Sequence, residues 1–348
     1  MDQSAQQQRG QQAPENRGDP QVTAMAEMVA AAHRKISEQV GRVIVGQRQV
    51  IDLIVLALLC QGHCILEGVP GLAKTLMISS IARLLGLEFG RVQFTPDLMP
   101  SDITGTEILE EDRTTGKRHM RFVPGPIFAN VILADEINRT PPKTQSALLQ
   151  AMQEYQVTVA GEHYQLDRPY FVLGTQNPIE SEGTYPLPEA QLDRFMFKIK
   201  VDYPNLDEEI EIAQTTTSQD PADLQPVLSK DDIMKMQKIV RKVIVARPVA
   251  EYAVRLVRAT RPGVEGNPDF VSRYVTWGAG PRACQAILLG SKARALLDGR
   301  TNVSIDDVQF ITPPVLRHRL VTNFTAESEN ISTDDVIERL IQKLPETT

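Results

Sequence analysis

Apolar positions divide this chain into three parts. Residues 1–21 hold seven glutamines and two prolines but no Val, Ile, Leu or aromatic side chain. Such a stretch cannot bury enough surface to offset chain entropy, so a disordered tail is expected. From Thr23 a helical stripe begins, carried by Met25, Met28, Val29, Ala32, Ile36 and Val40. Gly41 and Gly46 bracket the apolar triplet Val43-Ile44-Val45, and a second, very apolar helix runs to about Cys60. Residues 64–204 then alternate strand and helix signals, with strands expected at 64–67, 91–94, 131–134, 170–174 and 196–201. That alternation predicts an α/β fold with a doubly wound parallel sheet.

Two segments interrupt the alternation. Residues 98–128 lack a long helical stripe, and 105–123 reads as a hairpin turning near Thr114-Thr115-Gly116. Residues 155–168 alternate Val157, Val159 and Tyr164 around Ala160-Gly161, which predicts a second hairpin. After Tyr203-Pro204 the composition shifts. Pro204, Pro221 and Pro226 mark a connection over 205–229, and helical signals at 231–246, 249–260, 281–297, 305–311 and 333–343 predict a separate, all-helical domain over 230–348. The α/β core would then span 22–204.

Bulk properties narrow the class. At 348 residues the chain exceeds one compact core. A net charge of −7 argues against a protein that coats nucleic acid. The basic group Arg113, Lys117, Arg118, His119 and Arg121 reads as a solvated hairpin face, because aromatic interleaving is sparse. Cys60, Cys64 and Cys284 form no disulfide or metal framework, which suits a reducing compartment. No apolar run approaches the roughly 20 residues of a membrane span, and a soluble cytoplasmic protein is expected.

The chemistry concentrates at two places. Cys64-Ile65-Leu66-Glu67 reads as a buried strand, followed by the loop Gly68, Val69, Pro70, Gly71, Leu72, Ala73, and a helix opening at Lys74, Thr75 and Leu76. A loop of this kind turns backbone N–H groups and a helix start toward the phosphates of a nucleotide. Lys74 would reach the terminal phosphates and Thr75 would hold a magnesium ion. Ala73 stands where the general GxxxxGK[ST] pattern has its second glycine, and a positive φ there would cost roughly 1–2 kcal/mol. Downstream, Val131-Ile132-Leu133-Ala134 is an unbroken apolar run ending in Asp135-Glu136, as a central parallel strand would be. Ligands of such sheets sit beyond the carboxyl ends of the strands. Asp135 would therefore emerge beside the phosphate loop to reach magnesium, and Glu136 would polarise the water attacking the γ-phosphate of ATP.

Three further residues are candidates. Asn177 follows the strand at 170–174, where an amide could bond the γ-phosphate or the water; it could equally be a turn former before Pro178. Arg194 stands between a helix and the last strand, either as a stabiliser of a neighbouring subunit's transition state or as a salt-bridge partner of Asp193. Arg282 lies in the first turn of a helix, where a cation opposes the helix dipole. Contact with ATP phosphates across the domain cleft is the favoured reading.

These runs resemble the MoxR family of AAA+ ATPases, the branch with an insert in helix 2. The matching stretches are 68–75, 96–105, 122–126, 133–140, 175–178, 183–195 and 280–283, ordered over residues 41–320. Ala73 is common in that family; Gly280 departs from its frequent serine but leaves Arg282 in register. The resemblance implies a hexameric ring, ATP and magnesium as cofactors, and a three-helix lid packed near the nucleotide. It assigns Asn177 as sensor 1, Arg194 as arginine finger, Arg282 as sensor 2 and Val45 to the adenine-side segment. It further implies a chaperone-like motor that matures or activates a protein complex, including by metal-cofactor insertion, often with a von Willebrand factor A domain partner. A nucleic-acid motor and a metal-chelatase motor subunit are the competing readings.

Overall fold

A computed structural model describes residues 20–111, 118–179, 183–218 and 223–345. Helices α1 (Pro20–Val40) and α2 (Arg48–Leu59) lead into strand β1 (Cys64–Glu67) and helix α3 (Lys74–Leu84). Then come β2 (Phe89–Gln93), the short α4 (Pro100–Thr104), the hairpin β3 (Gly105–Glu111) and β4 (Arg118–Pro124), and β5 (Val131–Asp135). Helix α5 (Pro142–Glu154), the hairpin β6 (Gln156–Val159) and β7 (Glu162–Gln165), β8 (Phe171–Gln176), α6 (Glu189–Leu192) and β9 (Phe197–Lys200) complete the core.

The five long-range strands form one parallel sheet in the order β2-β5-β8-β1-β9. Its strands are apolar on both faces because both are covered. Leu66, Leu133, Leu173 and Phe197 face one core, while Ile65, Ile132 and Val172 face the other. Both hairpins form as antiparallel pairs outside the sheet. The predicted turn at Thr114-Thr115-Gly116 lies outside the described residues. On the first hairpin Arg118 pairs with Glu111 at 3.0 Å and Arg121 with Glu110 at 3.3 Å. Cross-strand acids thus absorb these cations, as a solvated face does.

Helix α7 (Leu206–Ser218) occupies the segment expected to be a plain connection. The rest follows as α8 (Lys230–Val240), α9 (Arg247–Ala259), α10 (Asp269–Tyr274), β10 (Val275–Trp277), α11 (Pro281–Leu297), α12 (Ile305–Leu316), β11 (Val321–Thr322), α13 (Phe324–Ser328) and α14 (Thr333–Lys343). Three details differ from the periodicity. Helix α1 opens at Pro20, inside the expected tail; residues 1–19 are outside those described. The helix expected over 231–246 ends at Val240, and Ala246 is extended before the proline-led start of α9. Helix α12 runs past 311 because Pro313 and Pro314 fall in its last turns, where Arg317 N–H still closes on the Pro313 carbonyl at 3.1 Å. A two-stranded ribbon, Val275 opposite Thr322, joins the lid helices.

The lid docks along β9. Residues of α1, α2, α9, α11 and α12 share one continuous apolar core with the Leu66–Phe197 face of the sheet. Gly290 lets α11 approach: a β-carbon there would lie 2.8 Å from Ile311 and 3.2 Å from the Phe197 ring. Inside the lid Asp307 is fully buried and takes a bidentate Arg300 at 2.6 and 2.8 Å. No helix among the described residues is long and apolar enough to cross a membrane. Cys60 and Cys64 are buried, and Cys284 is partly so.

Candidate functional site

Strand order explains how distant motifs meet. The carboxyl ends of β2, β5, β8 and β1 stand side by side, carrying in turn Gln93, Asp135-Glu136, Thr175 to Asn177, and the loop from Gly68. Together they enclose a cleft of about 480 Å³ lined by Pro70 through Leu76, Arg91, Gln93, Asp135, Glu136, Thr175 and Asn177.

The loop turns through two left-handed positions. Gly71 has φ +88° and Ala73 φ +50°, so the strained backbone feared at the second glycine position is real. Gly68 passes close under β9's continuation: a β-carbon there would stand 2.6 Å from the Val201 carbonyl oxygen. Lys74 folds back to donate to the Gly68 carbonyl. Burial lowers its pKa, while Asp135 and Glu136 pull the other way. A partly desolvated ammonium beside two carboxylates is poised for a stronger anionic partner.

The carboxylates are aimed by a residue that sequence reading overlooked. Thr175 is buried, donates to Asp135 Oδ1 at 2.7 Å, and accepts the Glu136 backbone N–H at 2.8 Å. One hydroxyl thus orients one carboxylate directly and its neighbour through the backbone. Glu136 itself is left-handed, φ +58°, an unusual conformation for a non-glycine residue. Arg91 meets Asp135 Oδ2 at 2.7 Å, and Gln93 donates to Glu136 Oε2 at 3.1 Å. Both come from β2, whose apolar signal alone did not mark its polar positions as functional. Arg139 approaches Glu136 at 3.2 Å. Asn177 lines the cleft and accepts the Ile179 N–H at 3.1 Å, so its turn-forming and cleft-lining roles coexist.

The donors suit a hard cation shared with phosphates. Thr75 and Asp135 present oxygens in one cleft, and magnesium usually takes one or two protein oxygens beside phosphate and water.

Val45 lies elsewhere. It lines a different cleft, of about 440 Å³, with Ile44, Gly46, Arg48 and Glu211. Gln47 donates to the Asp202 carbonyl at 2.9 Å, next to the Val201 that covers Gly68. The Val201-Asp202 strip therefore links the Val45 segment to the phosphate loop.

The two arginines depart further from expectation. Arg282 does not reach the phosphate-loop cleft of its own chain; it pairs with Asp193 at 3.2 Å. Arg194 does not pair with Asp193 but donates to the Leu149 carbonyl at 3.1 Å. Both line a separate cleft of about 310 Å³. The reason is the docking of the lid. Asp193 and Arg194 precede β9, at the amino end of a strand whose carboxyl end adjoins the phosphate loop. Four residues at about 3.3 Å each separate these ends by about 13 Å.

Known proteins agree with this architecture. The profile of the ATPase family associated with various cellular activities matches residues 63–197, and the AAA lid domain matches 269–340. The chain is 44% identical over 318 residues to Chaperone MoxR1 of Mycobacterium tuberculosis, covering 91% of this chain and 83% of that one. It is 43% identical to the uncharacterized YeaC of Bacillus subtilis, covering 88% and 92%. The crystal structure of a candidate ATPase from Cytophaga hutchinsonii superposes with a TM-score of 0.86 at 39% identity, covering 93% and 98%. With that likeness spread over core and lid alike, the chain belongs to the MoxR family of AAA+ ATPases and hydrolyses ATP.

Proposed function

We propose that this protein is a chaperone-like ring motor whose ATP sites are completed between subunits and whose work is to mature or activate a protein complex. One observation carries the ring: the phosphate-loop cleft and the exposed Arg194–Arg282 pair occupy opposite ends of β9 within one chain. Arginines so placed serve a second copy, not their own nucleotide.

In this reading the backbone N–H groups of residues 71–75 and the Lys74 ammonium bind the phosphates of ATP. Magnesium, held through Thr75 and Asp135, would supply positive charge to the phosphate oxygens. Glu136 accepts a proton from the attacking water, or orients it, from a position set by Thr175, Gln93 and Arg139. Asn177 donates to the γ-phosphate or the same water. Arg194 and Arg282 of the next subunit add positive charge where the transition state spreads negative charge. Val45 and its glycine-flanked segment stand on the adenine side, beyond the Val201-Asp202 strip. The client is a protein assembly, with a von Willebrand factor A domain protein as the expected adaptor.

Two measurements test this. Mixing Lys74→Ala with Arg194→Ala subunits, with dissociation and reassembly in ATP, should restore turnover that neither has alone. Interfaces in mixed rings unite the intact phosphate loop of one with the intact arginine of the other. Verified mixed rings without activity would overturn shared sites. Affinity capture on Glu136→Gln protein loaded with ATP should retain the client; recovery of DNA or of a chelatase subunit instead would replace the protein-remodelling reading.

A further inference from the structure

Behind the arginine pair lies a residue with no part in the chemistry above. The side chain of Arg319 is 5% exposed, and every one of its N–H groups has an acceptor. Its Nε donates to Asp193 Oδ1 at 2.8 Å. One terminal nitrogen donates to the Asp193 carbonyl at 3.1 Å and the Phe195 carbonyl at 2.8 Å. The other donates to the Met196 carbonyl at 3.1 Å and the Val315 carbonyl at 2.6 Å. A guanidinium has five N–H donors in a fixed plane, so none is left over.

Four of these five acceptors belong to Asp193–Met196, the strip from which Arg194 projects. His318 adds a second grip, its Nε2 lying 2.9 Å from the Phe195 carbonyl. Burial pushes the pKa of His318 well below its ordinary value, so the ring is neutral and Nε2 carries the donated proton. Both gripping side chains come from the lid, and the strip they hold belongs to the core. Asp193 is shared: Oδ1 faces Arg319, and Oδ2 faces Arg282 at 3.2 Å. Arg282 can leave that carboxylate without stranding it, because Arg319 stays.

We infer that Arg319 is a positioning residue for ATP hydrolysis, through which the lid sets the direction of Arg194 and frees Arg282 to exchange Asp193 for a neighbour's phosphate. This rests on the reading that Arg194 serves a neighbouring subunit. A guanidinium is needed because five acceptors cannot be met by an ammonium with three donors.

Arg319→Lys, which keeps the charge, is the test, with Arg194→Ala measured in parallel. The lysine variant should bind a fluorescent ATP analogue with near-normal affinity, since the phosphate-loop cleft is untouched. Its kcat should fall roughly tenfold to a hundredfold, the usual effect of a misplaced group, with KM little changed. Reassembly with Lys74→Ala subunits should restore activity, because the lysine variant keeps a sound phosphate loop and its neighbour a sound Arg194. A general loss of folding would not be restored this way. Normal kcat in folded Arg319→Lys, or a loss that mixing leaves unrepaired, would overturn the inference. So would failure of that variant to fold, which would make Arg319 a docking residue only. Normal turnover in Arg194→Ala would instead sink the underlying reading.

Discussion

The phosphate-loop cleft and the arginine face handle charge in opposite ways. In the cleft, cations and anions are already matched inside one chain: Arg91 with Asp135, Arg139 with Glu136, Lys74 with a carbonyl. These contacts are replaceable, and a nucleotide with its metal would take them over. On the arginine face, Arg194 and Arg282 are exposed, while Arg319 behind them is buried with an acceptor for every N–H. The first region is a receptor complete in outline; the second is a tool held out from a rigid mount. In the proposed ring, a site divided in this way would respond to assembly, because neither half would work alone.

The largest effect should come from the tool. Arg194→Ala is expected to bind ATP normally and lose roughly 10³–10⁵-fold in turnover. Steady-state kinetics on reassembled rings would check this, and unchanged kcat would erase the division between the two regions. Next, Glu136→Gln should retain ATP in equilibrium binding yet hydrolyse it about 10²–10⁴-fold more slowly. Wild-type turnover there would remove Glu136 from the mechanism.

A third experiment loosens the mount without touching either arginine. Asp307→Ala removes the buried carboxylate that grips Arg300, although Arg300 keeps Asp298 at 2.9 Å, and should cost roughly 1–3 kcal/mol of stability in denaturant titrations. The same pair predicts a pH response. Hydrogen bonds from Arg300 and Ser304 outweigh burial and hold the Asp307 carboxyl below its ordinary value. Its contribution is therefore present above the unfolded aspartate pKa of about 3.9 and is lost as pH falls below that toward the folded value. Stability of Asp307→Ala should accordingly depend less on pH than wild type below about pH 4.

Thr175→Val probes aim within the cleft. It keeps the shape but leaves the Glu136 N–H and Asp135 without their hydroxyl partner, a loss of about 1–3 kcal/mol per unsatisfied group. We expect a kcat reduced about tenfold to a hundredfold, with the arginine face unaffected in mixing assays. The smallest effect belongs to Ala73→Gly. Relief of the left-handed alanine is opposed by greater freedom of the unfolded chain, so stability should change by under about 1 kcal/mol. ATP affinity should move little; a large loss would mean the Ala73 methyl group contacts the nucleotide.

Much of this was legible in one dimension. The strands showed as apolar runs because both faces of the sheet are covered, and Asp135-Glu136 stood out as carboxylates closing such a run. Both hairpins were visible, the first from the lack of a helical stripe and the second from alternation. Helix α7 was hidden, because Leu206 and Ile210 are exposed and no buried stripe marks it. Thr175 was hidden too: a threonine at a strand end is ordinary until β8 is seen beside β5. Arg319 gave no signal, since nothing local distinguishes a saturated buried arginine from a solvated one.

By itself, then, the order of residues determined the chemistry on offer: a loop that must turn at Gly71 and Ala73, a lysine and a threonine opening a helix, and two acids ending a buried strand. These depend on contacts a few residues long, and local sterics and hydrogen bonding decide them. Where Arg282 ends up depended on something else. Its helix could pack over the phosphate loop or along β9, and local propensity is the same for both. The apolar core that α11 and α12 share with α1, α2 and β9 chose the second, placing the lid's arginines a strand's length from their own nucleotide cleft. Such a choice is made by surfaces brought together from across the whole chain, and only the tertiary structure holds it.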